Sequence, residues 1–252
     1  MFVNKALSLG AMLAICAGTA ALAQDGTIAG SCCEPTCCDA AVSASCDACC
    51  QCGASDPWTL FGTSCNGLTV GGWASAGLYS NAHGAADNGP LGFNNVGDGA
   101  TFNELWIFAE KVADTGGCGT DWGFRIDYVF GADGPDTQAF GGLGWDTQWN
   151  TARDYGSAMP QLYGEFAIND LTIKFGHFYT IIGWEVVPAP DNFFYSHAYT
   201  MYYAEPFTHT GFLATYQVSD RITAHGGWVQ GWDTGFDNTP KTDMFLGGIS
   251  VG

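Results

Sequence analysis

Two groups of residues in this chain have the types and spacing to do chemistry. The first is a run of cysteines: Cys32, Cys33, Cys37, Cys38, Cys46, Cys49, Cys50 and Cys52 place eight thiols within 21 residues. Almost no apolar residue lies among them to build a core, so sulfur bonding must hold the segment or it stays disordered. In an exported chain the ordinary outcome is disulfides, within the segment or to neighbouring envelope proteins. Cys46-x-x-Cys49, with Cys50 and Cys52 beside it, could instead form a thiolate knuckle for zinc, but no second pair at a finger-like distance accompanies it. Two further cysteines, Cys65 and Cys118, are expected at the same rim of adjacent strands, where they could pair.

The second group is a set of charged and polar residues set into apolar, strand-like stretches. Arg125 and Asp127 stand two apart in Phe124-Arg125-Ile126-Asp127-Tyr128, and Glu165, Lys174, Thr215 and His225 occupy similar settings. On a membrane barrel these six would line a lumen and set a local field for small polar solutes or ions. The other reading is structural: ion pairs filling a narrow interior. His83, His177, His197, His209 and His225 show no spacing that pairs them as metal ligands. There is no Gly-x-Ser-x-Gly, His-Glu-x-x-His or phosphate loop. No enzyme and no cofactor is implied.

The elements that must position these residues are legible in one hairpin, 162–178. Asn169-Asp170 tolerates the positive φ of a two-residue turn, so Ile168 should face Leu171. Phe166 then opposes Ile173 and Gly164 opposes Phe175 on an apolar face. Glu165 lands opposite Lys174 on the other face, with Ala167 against Thr172 and Tyr163 against Gly176. A second hairpin can be registered in the same way. With Ser219-Asp220-Arg221 as its loop, Val218 meets Ile222, Tyr216 meets Ala224, Ala214 meets Gly226 and Phe212 meets Trp228, while Thr215 shares the opposite face with His225. The stretch 104–111 resists assignment, because Trp106 and Phe108 oppose Leu105 and Ile107.

Lys5, an apolar run over 6–22 and Ala21-Leu22-Ala23 form a signal peptide ending at residue 23. No later stretch approaches the roughly 20 apolar residues of a spanning helix, so a membrane location requires a barrel. The formal charge is −18, with 7 Lys+Arg against 25 Asp+Glu, which argues against nucleic acid as a partner. Acids concentrate between the strands, at Asp87, Asp98, Asp133, Asp136, Asp146, Asp154, Asp191, Asp233, Asp237 and Asp243. They read either as solvated loop tips or as a negative rim that gathers cations.

Strands are expected over 67–79, 103–113, 120–131, 160–168, 171–178, 206–218, 222–232 and 243–251. Long and short connections alternate between them without exception, the rhythm of an outer-membrane barrel with tight periplasmic turns and long external loops. A Greek-key sandwich has no reason to keep it. The connection 179–205 holds Trp184, Glu185, Phe193, Phe194, Tyr195 and His197 around Pro188-Ala189-Pro190. It is expected either to fold into the mouth as a constriction or to form an external lid.

From Gly176-His177-Phe178-Tyr179-Thr180-Ile181-Ile182-Gly183-Trp184-Glu185 through Asn192-Phe193-Phe194-Tyr195-Ser196-His197 to Glu205-Pro206-Phe207-Thr208-His209-Thr210-Gly211, the chain resembles the OmpL-like β-barrel porins. The similarity runs from about Trp73 to the end and leaves out the cysteine-rich tail. It implies an outer-membrane barrel in contact with lipid, with a channel role and no catalytic motif. Members of that family look longer, and this chain stops at Ser250-Val251-Gly252, so it is expected to be incomplete at the C-terminus.

The fold class expected is therefore all-β: an antiparallel up-and-down transmembrane β-barrel over 65–252, with eight strands visible as the N-terminal part of a larger barrel. A signal peptide (1–23) and a disordered Cys-rich tail with linker (24–64) precede it. If residue 252 is the true end, eight strands would make a plugged cylinder; if strands are missing, a pore. The leading function is passive diffusion of small polar solutes across the outer membrane. The alternative is a non-conducting envelope or adhesion barrel, cross-linked to partner proteins through its cysteines.

Overall fold

The computed structural model describes residues 67–80, 88, 91–95, 97–140, 145–149, 154–237 and 241–252. The expected signal peptide, the Cys-rich tail with Cys46, Cys49, Cys50 and Cys52, and Cys65 lie outside the described residues. Eight strands follow one another: β1 (Leu68–Tyr79), β2 (Gly99–Lys111), β3 (Thr120–Gly131), β4 (Gly156–Ile168), β5 (Leu171–Tyr179), β6 (Thr208–Ser219), β7 (Ile222–Val229) and β8 (Met244–Val251). They form one antiparallel sheet in chain order. Two short helices, α1 (Gly134–Thr137) and α2 (Tyr199–Ala204), lie in connections. No helix among the described residues is long and apolar enough to cross a membrane.

The Asn169-Asp170 hairpin has the expected register throughout, with Ile168 opposite Leu171, Phe166 opposite Ile173 and Glu165 opposite Lys174. Asn169 takes φ of 50°, a left-handed conformation its short polar side chain tolerates. Its Oδ1 also accepts a hydrogen bond from Gly119 N at 3.0 Å, tying this turn to the β2–β3 connection. Asn169→Val would force a β-branched residue into that conformation and remove the bond. A loss of about 1–3 kcal/mol is expected, measured as a lower urea midpoint in detergent, with Asn169→Gly losing less.

The second hairpin departs slightly from expectation. Phe212 to Gln217 pair as anticipated, but a bulge at Val218 puts Ser219, not Val218, opposite Ile222, and the turn shortens to Asp220-Arg221. Bulges also explain two strands that begin earlier than expected. In β4 the register shifts between Asp127 and Val129 opposite Met159 and Pro160, so the proline sits where no ladder hydrogen bond is required and the strand continues back to Gly156. In β2 the register slips past Asn103, opposite Ser75 and Ala76, and the strand starts at Gly99.

The two faces of the sheet differ in chemistry. Leu105, Ile107, Ile126, Tyr128, Phe166, Phe175, Phe212, Trp228 and Phe245 are exposed on one face. Glu104, Trp106, Glu110, Arg125, Asp127, Gln161, Glu165 and Lys174 alternate with them on the other, where Glu104 and Asp127 are 0% exposed. The faces of β2 after its bulge are thus settled: Trp106 and Phe108 point to the polar side and Leu105, Ile107 and Ala109 outward. A row of exposed apolar side chains running across the sheet is what a lipid-facing wall presents.

Among the described residues no ladder joins β1 to β8, so these strands form an open sheet. The closed eight-strand cylinder, one of the two expectations, is not what they build. Each edge strand keeps one row of backbone groups without a strand partner in the sheet.

The short connections, 112–119, 169–170 and 220–221, lie at one end and the long ones, 80–98, 132–155, 180–207 and 230–243, at the other, as antiparallel chain order requires. We call the long ones L1 to L4. Several of the acids read as solvated tips or a negative rim instead stitch these loops together. Asp136 of L2 accepts from Phe93 N of L1 at 2.7 Å and from the Tyr202 hydroxyl of L3 at 3.0 Å. Asp233 of L4 accepts from Phe207 N at 2.7 Å and Thr208 N at 2.8 Å. Asp146 is fully buried and accepts from Ala139 N and Met159 N, both at 3.0 Å; the latter amide lies in the β4 bulge. The physical reason is backbone accounting: folded-back loops bury amides with no ladder partner, and a carboxylate supplies the acceptor.

Candidate functional site

The polar face is built from alternate positions of β1 to β7, and its centre is Arg125. The guanidinium donates to Asp127 through Nε at 2.7 Å and Nη2 at 3.1 Å, and to Glu110 through Nη1 at 2.7 Å. Its carbon lies 4.7 Å from the centre of the Phe108 ring. Asp127 also accepts from Trp106 Nε1 at 3.1 Å and Gln161 Nε2 at 3.2 Å. A fully buried carboxylate is tolerable here because each of its oxygens has a donor. The expectation that Arg125 and Asp127 would seek water or each other resolves toward each other.

Glu165 and Lys174 stand opposite each other in register but do not form an ion pair. Gly176, opposite Tyr163, leaves that ring free to lie beneath Lys174, whose Nζ is 4.2 Å from the ring centre. Gly123, opposite Glu165 on the other side, leaves room for the carboxylate to accept from Ala113 N at 2.7 Å. Thr215 and His225 come together as expected, Oγ1 to Nδ1 at 3.1 Å. All six candidate lining residues therefore sit on one face. Glu104, Trp106, Glu110 and Gln161 belong with them and escaped the sequence reading; the period-two spacing 104, 106, 108, 110 carried the signal, masked by equally apolar neighbours.

L3 folds back across this face near the long-loop end. Its Ala189 N donates to Glu104 Oε2 at 3.1 Å, the same oxygen that accepts from Trp73 Nε1 at 2.6 Å. The Tyr195 hydroxyl donates to Asn103 Oδ1 at 2.6 Å. Val187 and Met201 join Trp106, Val129 and Phe93 in one buried cluster, with Trp73 stacked on Trp106 at 4.8 Å. Within the loop Asn192 holds Val186 in both directions, and Glu185 accepts from Ala198 N at 2.7 Å. The six candidate constriction residues thus divide: Tyr195 and His197 pack toward the protein, Glu185 braces the loop, and Trp184, Phe193 and Phe194 are exposed.

Trp145 of L2 and Phe236 of L4 lie on the other side of the sheet. His177 lies on the apolar side of β5 two residues beyond exposed Phe175, yet it is 0% exposed because Trp145 and Phe236 lie over it. Its Nδ1 bonds Thr210 Oγ1 at 2.8 Å. Cys118 is half-buried in the β2–β3 connection; its expected partner Cys65 is outside the described residues.

Burial shifts the loop carboxyls Asp133 and Asp233 upward and Asp146 to about 6. A folded value above the unfolded one near 4 means that the folded protein holds a proton the unfolded chain releases between those limits. Stability from Asp146 is therefore fully present below about pH 4 and lost as pH rises to 6, a change of about 3 kcal/mol. Asp146→Asn does not titrate. The stability advantage of wild type over this variant should grow as pH falls from 7 to 4, measured as paired urea midpoints.

The chain matches no curated protein and no solved structure. A family model does match it, over residues 67–252, under the description "Putative beta-barrel porin-2, OmpL-like". The antiparallel up-and-down sheet of eight strands is consistent with that description, and the chain belongs to this family of porin-like outer-membrane β-barrels.

Proposed function

We propose that this barrel is a passive channel for small polar solutes and ions, with no catalytic step. The observation that carries the reading is the opposition of the two faces: exposed rings on one, and on the other the bonded group Arg125, Asp127 and Glu110, with Glu165 and Lys174 beside it. Hydrocarbon accepts the first face and a water-filled bore the second. In this reading Arg125, Asp127, Glu165, Lys174, Thr215 and His225 line the bore, and L3 narrows it from the wall of β1 and β2. The short turns are periplasmic and the long loops external.

On the polar face Glu104, Glu110, Asp121, Asp127 and Glu165 stand against Arg125 and Lys174. That balance favours cations over anions in the bore. Purified protein added to a planar bilayer in KCl should give stepwise currents, with a reversal potential shifted toward potassium in a salt gradient. Insertion without current would assign the chain to the alternative, a non-conducting envelope barrel.

A further inference from the structure

One side of L3 is rich in exposed rings. Trp184 is 95% exposed and Phe193 88%, and Phe194, Tyr199 and Tyr203 are exposed with them. They are not loosely held. Phe193 and Phe194 meet edge to face at 4.8 Å, Tyr199 and Tyr203 stack at 6.1 Å, and the opposite side of the loop is anchored through Ala189 to Glu104 and through Tyr195 to Asn103. With one side of the loop anchored to the polar face, these rings are left on its other side.

Elsewhere the protein shows what its rings hold. Lys111, Arg125 and Lys174 each lie over an aromatic ring, at 5.0, 4.7 and 4.2 Å from Trp122, Phe108 and Tyr163. L3 has the rings and the acids Glu185, Asp191 and Glu205, but the sequence from 175 to 220 contains no lysine or arginine. Ring faces attract cations through their quadrupole, and carboxylates raise the local cation concentration. Inorganic ions hold their water too tightly to use a ring face well. A weakly hydrated ammonium does not.

We propose that the exposed face of L3 is a cation–π binding site for small organic cations bearing ammonium groups, which it gathers at the constriction. This rests on the channel reading and adds a solute class to it. In planar bilayers with the full chain in KCl, tetramethylammonium should reduce the potassium current in a saturable way. The variant Trp184→Ala/Phe193→Ala/Phe194→Ala should require a concentration higher by about five-fold or more for the same block. A second measurement does not depend on conduction: tetramethylammonium should change tryptophan fluorescence in detergent micelles, and the change should shrink in Trp184→Phe.

Absence of KCl current would defeat the channel reading but leave the fluorescence titration to decide the site. Protein that conducts KCl yet ignores tetramethylammonium in both measurements overturns the site and leaves the channel standing. Equal sensitivity in the triple variant also overturns it, as does a response to maltotriose with none to tetramethylammonium.

Discussion

Arg125→Ala should lower the stability of the barrel by about 3–5 kcal/mol, the expected cost of removing one partner from a buried ion pair. The side chain is half-buried and closes two carboxylates at 2.7 Å, Glu110 on β2 and Asp127 on its own strand. Without it, Asp127, which is 0% exposed, keeps only the Trp106 and Gln161 hydrogens, and Glu110 adds a like charge nearby. Arg125→Ala/Asp127→Asn should recover a large part of the loss, because the deficit comes from the stranded charge rather than from the missing contact. Urea unfolding in detergent of wild type, both single variants and the double variant measures the cycle. Additive losses would show that the two residues do not act as a unit.

Glu104→Ala should release L3 from the wall. One oxygen of this carboxylate accepts from both the Trp73 indole and Ala189 N, so its removal strands two donors in a buried setting. The expected cost is about 2–4 kcal/mol, concentrated in L3 rather than spread over the sheet. Hydrogen exchange at the Ala189 amide should accelerate by roughly 30-fold or more, since each 1.4 kcal/mol is tenfold. If L3 narrows the bore, single-channel conductance should rise in the same variant. Glu104→Gln retains one acceptor and should fall between the two. Unchanged exchange at Ala189 would show that Val187 and Met201 hold the loop without the carboxylate.

The hairpins were legible because their determinants are local. Asn169 can take φ of 50°, and once the turn is placed, the two-residue period of a strand dictates every pair from Ile168 opposite Leu171 to Tyr163 opposite Gly176. The same period put Arg125, Asp127, Glu165, Lys174, Thr215 and His225 on one side. It failed for β2, where both faces are apolar, and at the bulges by Val218, Pro160 and Asn103, which slip the register without a strong local signal.

Partners were a different matter. Opposite positions say that Glu165 and Lys174 are near, not that they bond; the absence of side chains at Gly123 and Gly176 let each find a better contact elsewhere. The roles of Asp136, Asp146 and Asp233 depend on which loop amides folding buries, and those amides are distant in sequence from the carboxylates that serve them.

By itself, then, the sequence determined the strand order, the alternating loop lengths and the side of the sheet on which the charged side chains of β3 to β7 lie, because turn chemistry and pleat are properties of neighbouring residues. Only the tertiary structure decided how the long loops fold back, which rings of L3 are spent on packing and which stay exposed, and that these eight strands leave the sheet open. Those outcomes depend on contacts across the chain, where one carboxylate such as Glu104 can serve a tryptophan 31 residues before it and an amide 85 residues after.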